Sequence, residues 1–318
     1  MKKVLKIVGI ALGVIVLFVV VLAVYINATG IPSYEVKPIS FQHTSSPEAL
    51  QRGKVLTTML CAGCHLDNST GQLTGRRMLD APPEFGEIYT PNITQNEEYG
   101  IGKWTDGEIV YLLRTGIKKD GQYAPPYMAK LPQMADEDIN AIIAFLRSDD
   151  KLVQPANVED TPSKPSFLTK MLCKVAFKPF PMPDEAIPMP DSTNALELGK
   201  YLAYNLECFS CHSADFTTND YLNPPASVGY FGGGNKPLDE KGRVMFTSNL
   251  TPHKTGLADW SKDRFIKAVK YGLMEGEPSL AYPMQPYAQL TDYEVGAIYE
   301  YLQTIPPIDN QVERSLYD

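Results

Sequence analysis

Cys61-Ala62-Gly63-Cys64-His65 and Cys208-Phe209-Ser210-Cys211-His212 are the two stretches on which the reading of this chain turns. Each sets two thiols three positions apart with an imidazole directly after them, the pattern of covalent c-type haem attachment. Thiols spaced along one helical turn reach the two vinyl groups while the histidine points at the iron. The rival chemistries for paired Cys-x-x-Cys strings are a zinc site and a redox dithiol. Two complete strings, each ending in histidine, favour haem. They use four of the five cysteines, and five are too few for a disulfide scaffold in 318 residues.

Working outward from the strings, the chain repeats itself. At an offset of 156, Trp104 falls on Trp260, Ile109 on Phe265, Gly116 on Gly272, Met128 on Met284, Asp136 on Asp292 and Leu146 on Leu302, with no gap. Upstream the match needs small shifts: Asn92-Ile93-Thr94 pairs with Asn249-Leu250-Thr251, and Arg52-Gly53-Lys54 with Leu198-Gly199-Lys200. The second copy therefore carries a loop insertion within 213–248, where Gly232-Gly233-Gly234 sits. No Lys-Ser/Thr comes after that glycine run, so it is not a phosphate cradle.

Each copy reads as helices joined by loops. Ser46-Pro47 is an N-cap followed by proline at the first helical position, leading a helix into Cys61. Thr105 and Glu108 offer a capping box, and Gly116 a C-cap. The closing helices carry Ile139, Ile142, Ile143 and Leu146 in one copy and Val295, Ile298, Tyr299 and Leu302 in the other, each a single apolar stripe of helical period. Thr291 and Glu294 cap the second of these; Ala135 stands where the first would need a cap. Two-residue alternation is absent, so the expected class is all-α.

Ahead of the repeat, Ile7 to Ile26 is an uncharged run of 20 residues preceded by Lys2, Lys3 and Lys6. That length crosses a bilayer core as a helix and exceeds the apolar region of a cleaved signal peptide. The positive-inside rule keeps the lysines cytoplasmic and places residues 30 to 318 on the far side. The expected order is a transmembrane anchor at 1–28, a tether at 29–45, a haem domain at 46–150, a proline-rich connector at 151–190, in which a short helix over Phe167 to Val175 fits, and a second haem domain at 191–318. The net charge is −8 and no basic run exists beyond the anchor lysines, which argues against nucleic acid as a partner.

A haem iron takes a second axial ligand, for which a thioether suits an electron carrier. Among 11 methionines, Met128 and Met284 are the pair separated by the repeat offset. Both lie in proline-containing loops, Ala124-Pro125-Pro126-Tyr127-Met128 and Ala281-Tyr282-Pro283-Met284. Met134 shares the first loop region and is the alternative there. His43 and His253, the remaining histidines, occupy non-equivalent positions and are assigned surface roles. Cys173, in the connector, reads as a small buried packing residue, with an axial thiolate or an intermolecular disulfide as its alternatives.

From the attachment string to the closing helix each copy resembles a class I cytochrome c domain. Asn92-Ile93-Thr94 with Gly100-Ile101-Gly102-Lys103-Trp104-Thr105, and Asn249-Leu250-Thr251-Pro252 with Thr255-Gly256-Leu257-Ala258-Asp259-Trp260-Ser261, resemble the cytochrome subunits of membrane-bound periplasmic alcohol and sugar-acid dehydrogenases. Members of that family commonly hold three haem domains where this chain has two. The resemblance implies that Trp104 and Trp260 pack near the haem; the residues alone allow ordinary core anchors equally.

The expectation is tandem cytochrome c-type domains behind a single-pass helix in the inner (cytoplasmic) membrane, facing the periplasm. Two covalently bound haem c groups would be held by Cys61, Cys64, Cys208 and Cys211, with His65/Met128 and His212/Met284 on the irons and no catalytic residue. Such a chain relays electrons from a dehydrogenase or quinol donor to a downstream acceptor such as another cytochrome or an oxidase. It is more an electron-transfer subunit than a stand-alone enzyme. The alternative is a dihaem enzyme of peroxidase or thiosulfate dehydrogenase type, with one open or Cys/His-ligated iron.

Overall fold

The computed structural model describes residues 1–274, 276, 278–280 and 282–313. Ala281 of the second methionine loop and the last five residues of the 191–318 segment lie outside that set.

The chain opens with α1, Lys2–Thr29, long and apolar enough to cross a membrane. Its one buried residue is Ile26. The first repeat contains α2 (Pro47–Leu60), α3 (Ala62–His65), α4 (Asp106–Thr115) and α5 (Asp136–Leu146). The second repeat contains α7 (Ala195–Asn205), α8 (Cys208–His212), α9 (Lys262–Tyr271) and α10 (Asp292–Leu302). Between them lies α6, Phe167–Val175, where the sequence allowed a short helix. The only ladder strands among the described residues are Gly86–Glu87 (β1) and Lys164–Pro165 (β2), an antiparallel pair that lays the connector back on the first repeat.

Local chemistry sets the helix ends. Ser46 Oγ accepts the Ala49 N–H at 3.1 Å with Pro47 in the first turn. Thr105 with Glu108 and Thr291 with Glu294 form reciprocal capping boxes, satisfying N–H groups the helix cannot. Gly116 and Gly272 close α4 and α9 in the left-handed region. Asp136 and Asp292, which open α5 and α10, take Arg114 and Lys270 respectively, so the repeat offset is kept down to the ion pairs.

Each repeat is built on one crossing of its first and last helices, α2 on α5 and α7 on α10. The crossings depend on glycine. A Cβ at Gly53 would lie 1.9 Å from the Ala141 carbonyl oxygen, and one at Gly199 would lie 2.0 Å from that of Ala297. Ala141 and Ala297 are repeat equivalents, so both copies bring backbone against backbone at the same point. Around the crossings runs one continuous apolar cluster including Leu56, Ile142 and Phe145 in the first repeat and Leu202, Ile298 and Leu302 in the second. Trp104 and Trp260 are partly buried and pack against that cluster.

The two repeats face each other through polar contacts. Arg52 is bidentate to Asp138 at 2.8 and 2.9 Å and also reaches Glu294 at 3.0 Å. Tyr201 donates to Asp138 Oδ2 at 2.7 Å and accepts the Ala135 N–H at 3.1 Å. Gln133 donates to the Tyr221 carbonyl, and Tyr282 to Asp80.

The 29–45 segment lies along the first repeat. The Tyr34 N–H donates to Gly121 O at 2.8 Å, and the Tyr123 N–H donates back to Pro32 O at 3.0 Å. His43 is half-buried, its Nδ1 2.7 Å from Asp106 Oδ2, while Arg147 Nε lies 3.1 Å from Asp106 Oδ1. Burial pushes the Asp106 carboxyl up, but the hydrogen bonds from His43 and Arg147 outweigh it and hold the group below its ordinary range. A carboxylate with a depressed pKa contributes stability that is present above its unfolded value, about 3.9, and is lost as pH falls through the folded value. Asp106→Asn should therefore shallow the acid limb of the stability profile below about pH 4 while changing little of the slope above pH 5, read by denaturant midpoints across pH.

Candidate functional site

The Cys-x-x-Cys-His strings form short helices at the ends of the crossing helices. α3 follows α2 after Cys61, and α8 follows α7 through Glu207, which adopts φ 63°. All four thiols are free and half-buried, and both histidines are half-buried. Burial pushes the Cys61, Cys208 and Cys211 thiols up to about 12 and lowers both imidazoles below their usual value. Thiols held protonated are poor redox nucleophiles. Among the described residues no three His, Cys, Asp or Glu side chains converge as a metal site, so the two strings do not come together as a zinc cluster.

The histidines are oriented alike. His65 Nδ1 lies 2.8 Å from the Pro91 carbonyl oxygen and His212 Nδ1 lies 2.8 Å from that of Ser248. A carbonyl can only accept, so each Nδ1 carries the proton and each Nε2 presents its lone pair, the form in which imidazole binds a metal. The residues next along the chain fix these carbonyls in place. Asn92 accepts from Thr94 N–H and Oγ1 at 2.9 and 2.7 Å, and its amide donates to Ala156 O and Val158 O. Asn249 does the same with Thr251 at 2.9 and 2.8 Å, and its amide reaches Ile308 O at 2.8 Å. The Asn-x-Thr strings are thus pins that set the histidine's acceptor. Their recurrence was legible in the sequence, their purpose was not.

A second device went unassigned. The Gly75 N–H donates to the His65 carbonyl at 2.8 Å and the Gly233 N–H to that of His212 at 2.7 Å, both glycines having positive φ. A Cβ at Gly233 would stand 2.5 Å from Ser248 C, beside the carbonyl that His212 uses. The triple glycine therefore supplies a tight turn behind the histidine. It also places the insertion: Gly75 comes ten residues after His65, Gly233 twenty-one after His212, so the extra chain lies within 213–232.

The methionine loops are clamped at matching points. In the first repeat the Ala124 N–H donates to Gly116 O and the Leu131 N–H to Leu113 O, both at 2.7 Å. In the second the Leu280 N–H donates to Gly272 O and the Tyr287 N–H to Val269 O, both at 2.8 Å. Every one of these atoms obeys the 156 offset, and Met128 and Met284 sit half-buried at the same place between the clamps. Met134 is fully buried in the core, where Arg114 bonds its carbonyl. Among the two remaining histidines, His253 pairs with Thr255 Oγ1 at 2.8 Å and His43 with Asp106. Cys173 is completely buried on α6, and burial raises its thiol to about 11, the neutral packing residue expected.

Donor set and setting fit covalent haem: free paired thiols, a neutral imidazole with Nε2 available, and a thioether on a loop of fixed length. Comparison with known proteins agrees. Residues 50–149 match the family model "Cytochrome c". The chain is 26% identical over 266 residues to the "Alcohol dehydrogenase (quinone), cytochrome c subunit" of Gluconacetobacter polyoxogenes, covering 81% of this chain and 56% of that protein. It is 27% identical over 277 residues to the "Fructose dehydrogenase cytochrome subunit" of Gluconobacter japonicus, covering 81% and 53%. It is 26% identical over 263 residues to the "Diheme cytochrome c-type" of Cereibacter sphaeroides, covering 78% and 83%. The chain spans about half the length of the dehydrogenase subunits it matches. With the fold all-α and the attachment strings built as described, residues 50–149 form a cytochrome c domain, and the chain as a whole is similar to cytochrome c subunits along about four fifths of its length.

Proposed function

We propose that the chain is a membrane-anchored dihaem c-type cytochrome that relays single electrons between a dehydrogenase or quinol donor and a downstream acceptor. The observation that carries this reading is the duplicated constellation. Each repeat has paired thiols, an imidazole whose Nδ1–H is held by a pinned carbonyl, and a methionine on a loop clamped at equivalent bonds. When bound, haem supplies a one-electron ferric/ferrous couple. The chain's residues would do the rest: Cys61 with Cys64 and Cys208 with Cys211 would hold the two groups covalently, His65 and His212 would offer Nε2, and Met128 and Met284 would offer sulfur. With a histidine and a methionine offered to each group, partners of such a protein would exchange only electrons with it.

The N-terminal lysines and α1 support an inner-membrane anchor with the haem units in the periplasm, by the positive-inside rule. The names of the relatives support a dehydrogenase as the donor partner. The residues from 44 to 150 carry −5 and those from 191 to 318 carry −7, which favours a basic docking surface and binding that weakens with salt.

The test is a count. Haem-stained denaturing gels and intact mass should show two covalent haems, and Cys61→Ala with Cys64→Ala should leave one. Reduced protein should not take up carbon monoxide stoichiometrically at either iron. One haem in the unmodified chain defeats the dihaem reading, and one freely carbon monoxide-binding haem transfers it to the dihaem enzyme.

A further inference from the structure

The connector helix α6 carries none of the residues assigned above to the haem groups. Its inner face holds Thr169 and Cys173, both buried. Thr169 Oγ1 donates to Phe85 O at 2.8 Å, fixing the helix on the first repeat. Its outer face is apolar and open: Phe167 is 42% and Val175 67% exposed, with Leu168, Met171 and Leu172 partly exposed alongside. Lysines flank that arc at 170 and 174, with Lys178 just beyond the helix. Among the described ion pairs none of these three meets a carboxylate, whereas Lys164 at the preceding strand reaches Glu87. In a chain of net charge −8, residues 164–178 hold four lysines and no acid.

The position of α6 gives this pattern its meaning. Lys170 Nζ donates to Asn27 Oδ1 at 2.8 Å, and Lys174 Nζ stands 5.5 Å from the centre of the Tyr25 ring. Ile26, the one buried residue of α1, lies between those two contacts in sequence. The uncharged run from Ile7 to Ile26 has 20 residues, which at about 1.5 Å each matches a hydrocarbon core of about 30 Å. The far edge of that core therefore falls at Tyr25 to Asn27, the level at which α6 is attached. A short helix with an apolar arc, flanking lysines and a fixed place at the hydrocarbon boundary has the pattern of an interfacial helix.

We infer that α6 lies in the outer interface of the bilayer, its Phe167–Met171–Val175 arc among the upper acyl chains and Lys170, Lys174 and Lys178 against anionic lipid headgroups. It thereby holds the first haem unit down on the membrane surface. This rests on the reading of α1 as a membrane span. Occupancy by lipid is favoured over a protein partner because the arc is continuous with the span and the lysines suit an anionic surface.

The experiment uses full-length holoprotein in nanodiscs, with lipids either wholly zwitterionic or containing phosphatidylglycerol. Val175→Cys and, as a reference on the inserted loop, Val228→Cys, 58% exposed, are modified with a bulky water-soluble maleimide; the unmodified chain with its buried Cys173 is the blank. In anionic discs Val175→Cys should react about tenfold more slowly than Val228→Cys. Adding Lys170→Gln, Lys174→Gln and Lys178→Gln should erase most of that protection while haem content stays unchanged. Equal rates at the two cysteines overturn the inference. Protection that grows with protein concentration assigns the arc to a second copy and overturns it as well, as does protection indifferent to headgroup charge. Failure of the protein to travel with the discs at all strikes instead at the membrane span, so the two failures are told apart.

Discussion

Met284→Ala protein, reduced under carbon monoxide, should bind the gas at one haem of two, and the sulfur-to-iron charge-transfer band should lose one haem's share. Met284→His should keep that haem low-spin and lower its potential, because a thioether favours ferrous iron relative to a second imidazole. Met128→Ala and Met128→His should act on the other haem alone. The independence comes from the clamps, since each loop is closed by hydrogen bonds to its own preceding helix. Met134→Ala separates ligation from packing. Its side chain is fully buried in the core, so its loss should cost about 2–5 kcal/mol of stability without opening an iron. If Met134→Ala rather than Met128→Ala admits carbon monoxide at the first haem, the first methionine is misassigned while the second stands. Absorption spectra and redox titration decide each case.

The largest structural effect should come from a single methyl group. Gly199→Ala places a Cβ 2.0 Å from the Ala297 carbonyl oxygen, and Gly53→Ala one 1.9 Å from that of Ala141. Neither neighbour is the end of a flexible side chain, so the helices themselves must part. Overpacking in a close-packed interior costs about 1–3 kcal/mol, and a backbone-to-backbone clash belongs at the upper end, about 3 kcal/mol. Because α7 leads into α8 and α2 into α3, the displacement should carry to the attachment strings, lowering haem incorporation in the altered repeat only. Denaturant midpoints and the haem-to-protein ratio measure both. Full stability with alanine at either glycine would show that the crossing is looser than described.

Much of this was legible because it is local or periodic. The caps at Ser46, Thr105 and Thr291, the missing cap at Ala135 and the short helix at Phe167–Val175 all arise from short-range hydrogen bonding and helical spacing. The equivalence of Met128 and Met284 came from an offset that the clamping bonds share. The features that stayed hidden depend on contacts distant in sequence. Nothing in the string around His43 announces that its imidazole meets Asp106, 63 residues on. Nor does Pro91 or Ser248 reveal itself as the acceptor for a histidine, since any residue supplies a carbonyl and only the fold selects which one. The contact of Tyr282, in one methionine loop, with Asp80 of the other repeat is of the same kind.

Arg52 carries a consequence for how such a pair of units can arise. Its guanidinium serves Asp138 and Glu294, which occupy the same repeat position, while Leu198 stands where the second repeat would need its own arginine. Two copies of the first half would bring two guanidinium groups to that place, and two copies of the second half would bring none, leaving two carboxylates face to face. The contact is thus one-sided, as a lock differs from its key: both halves bring a carboxylate to it, and the first half alone brings the cation.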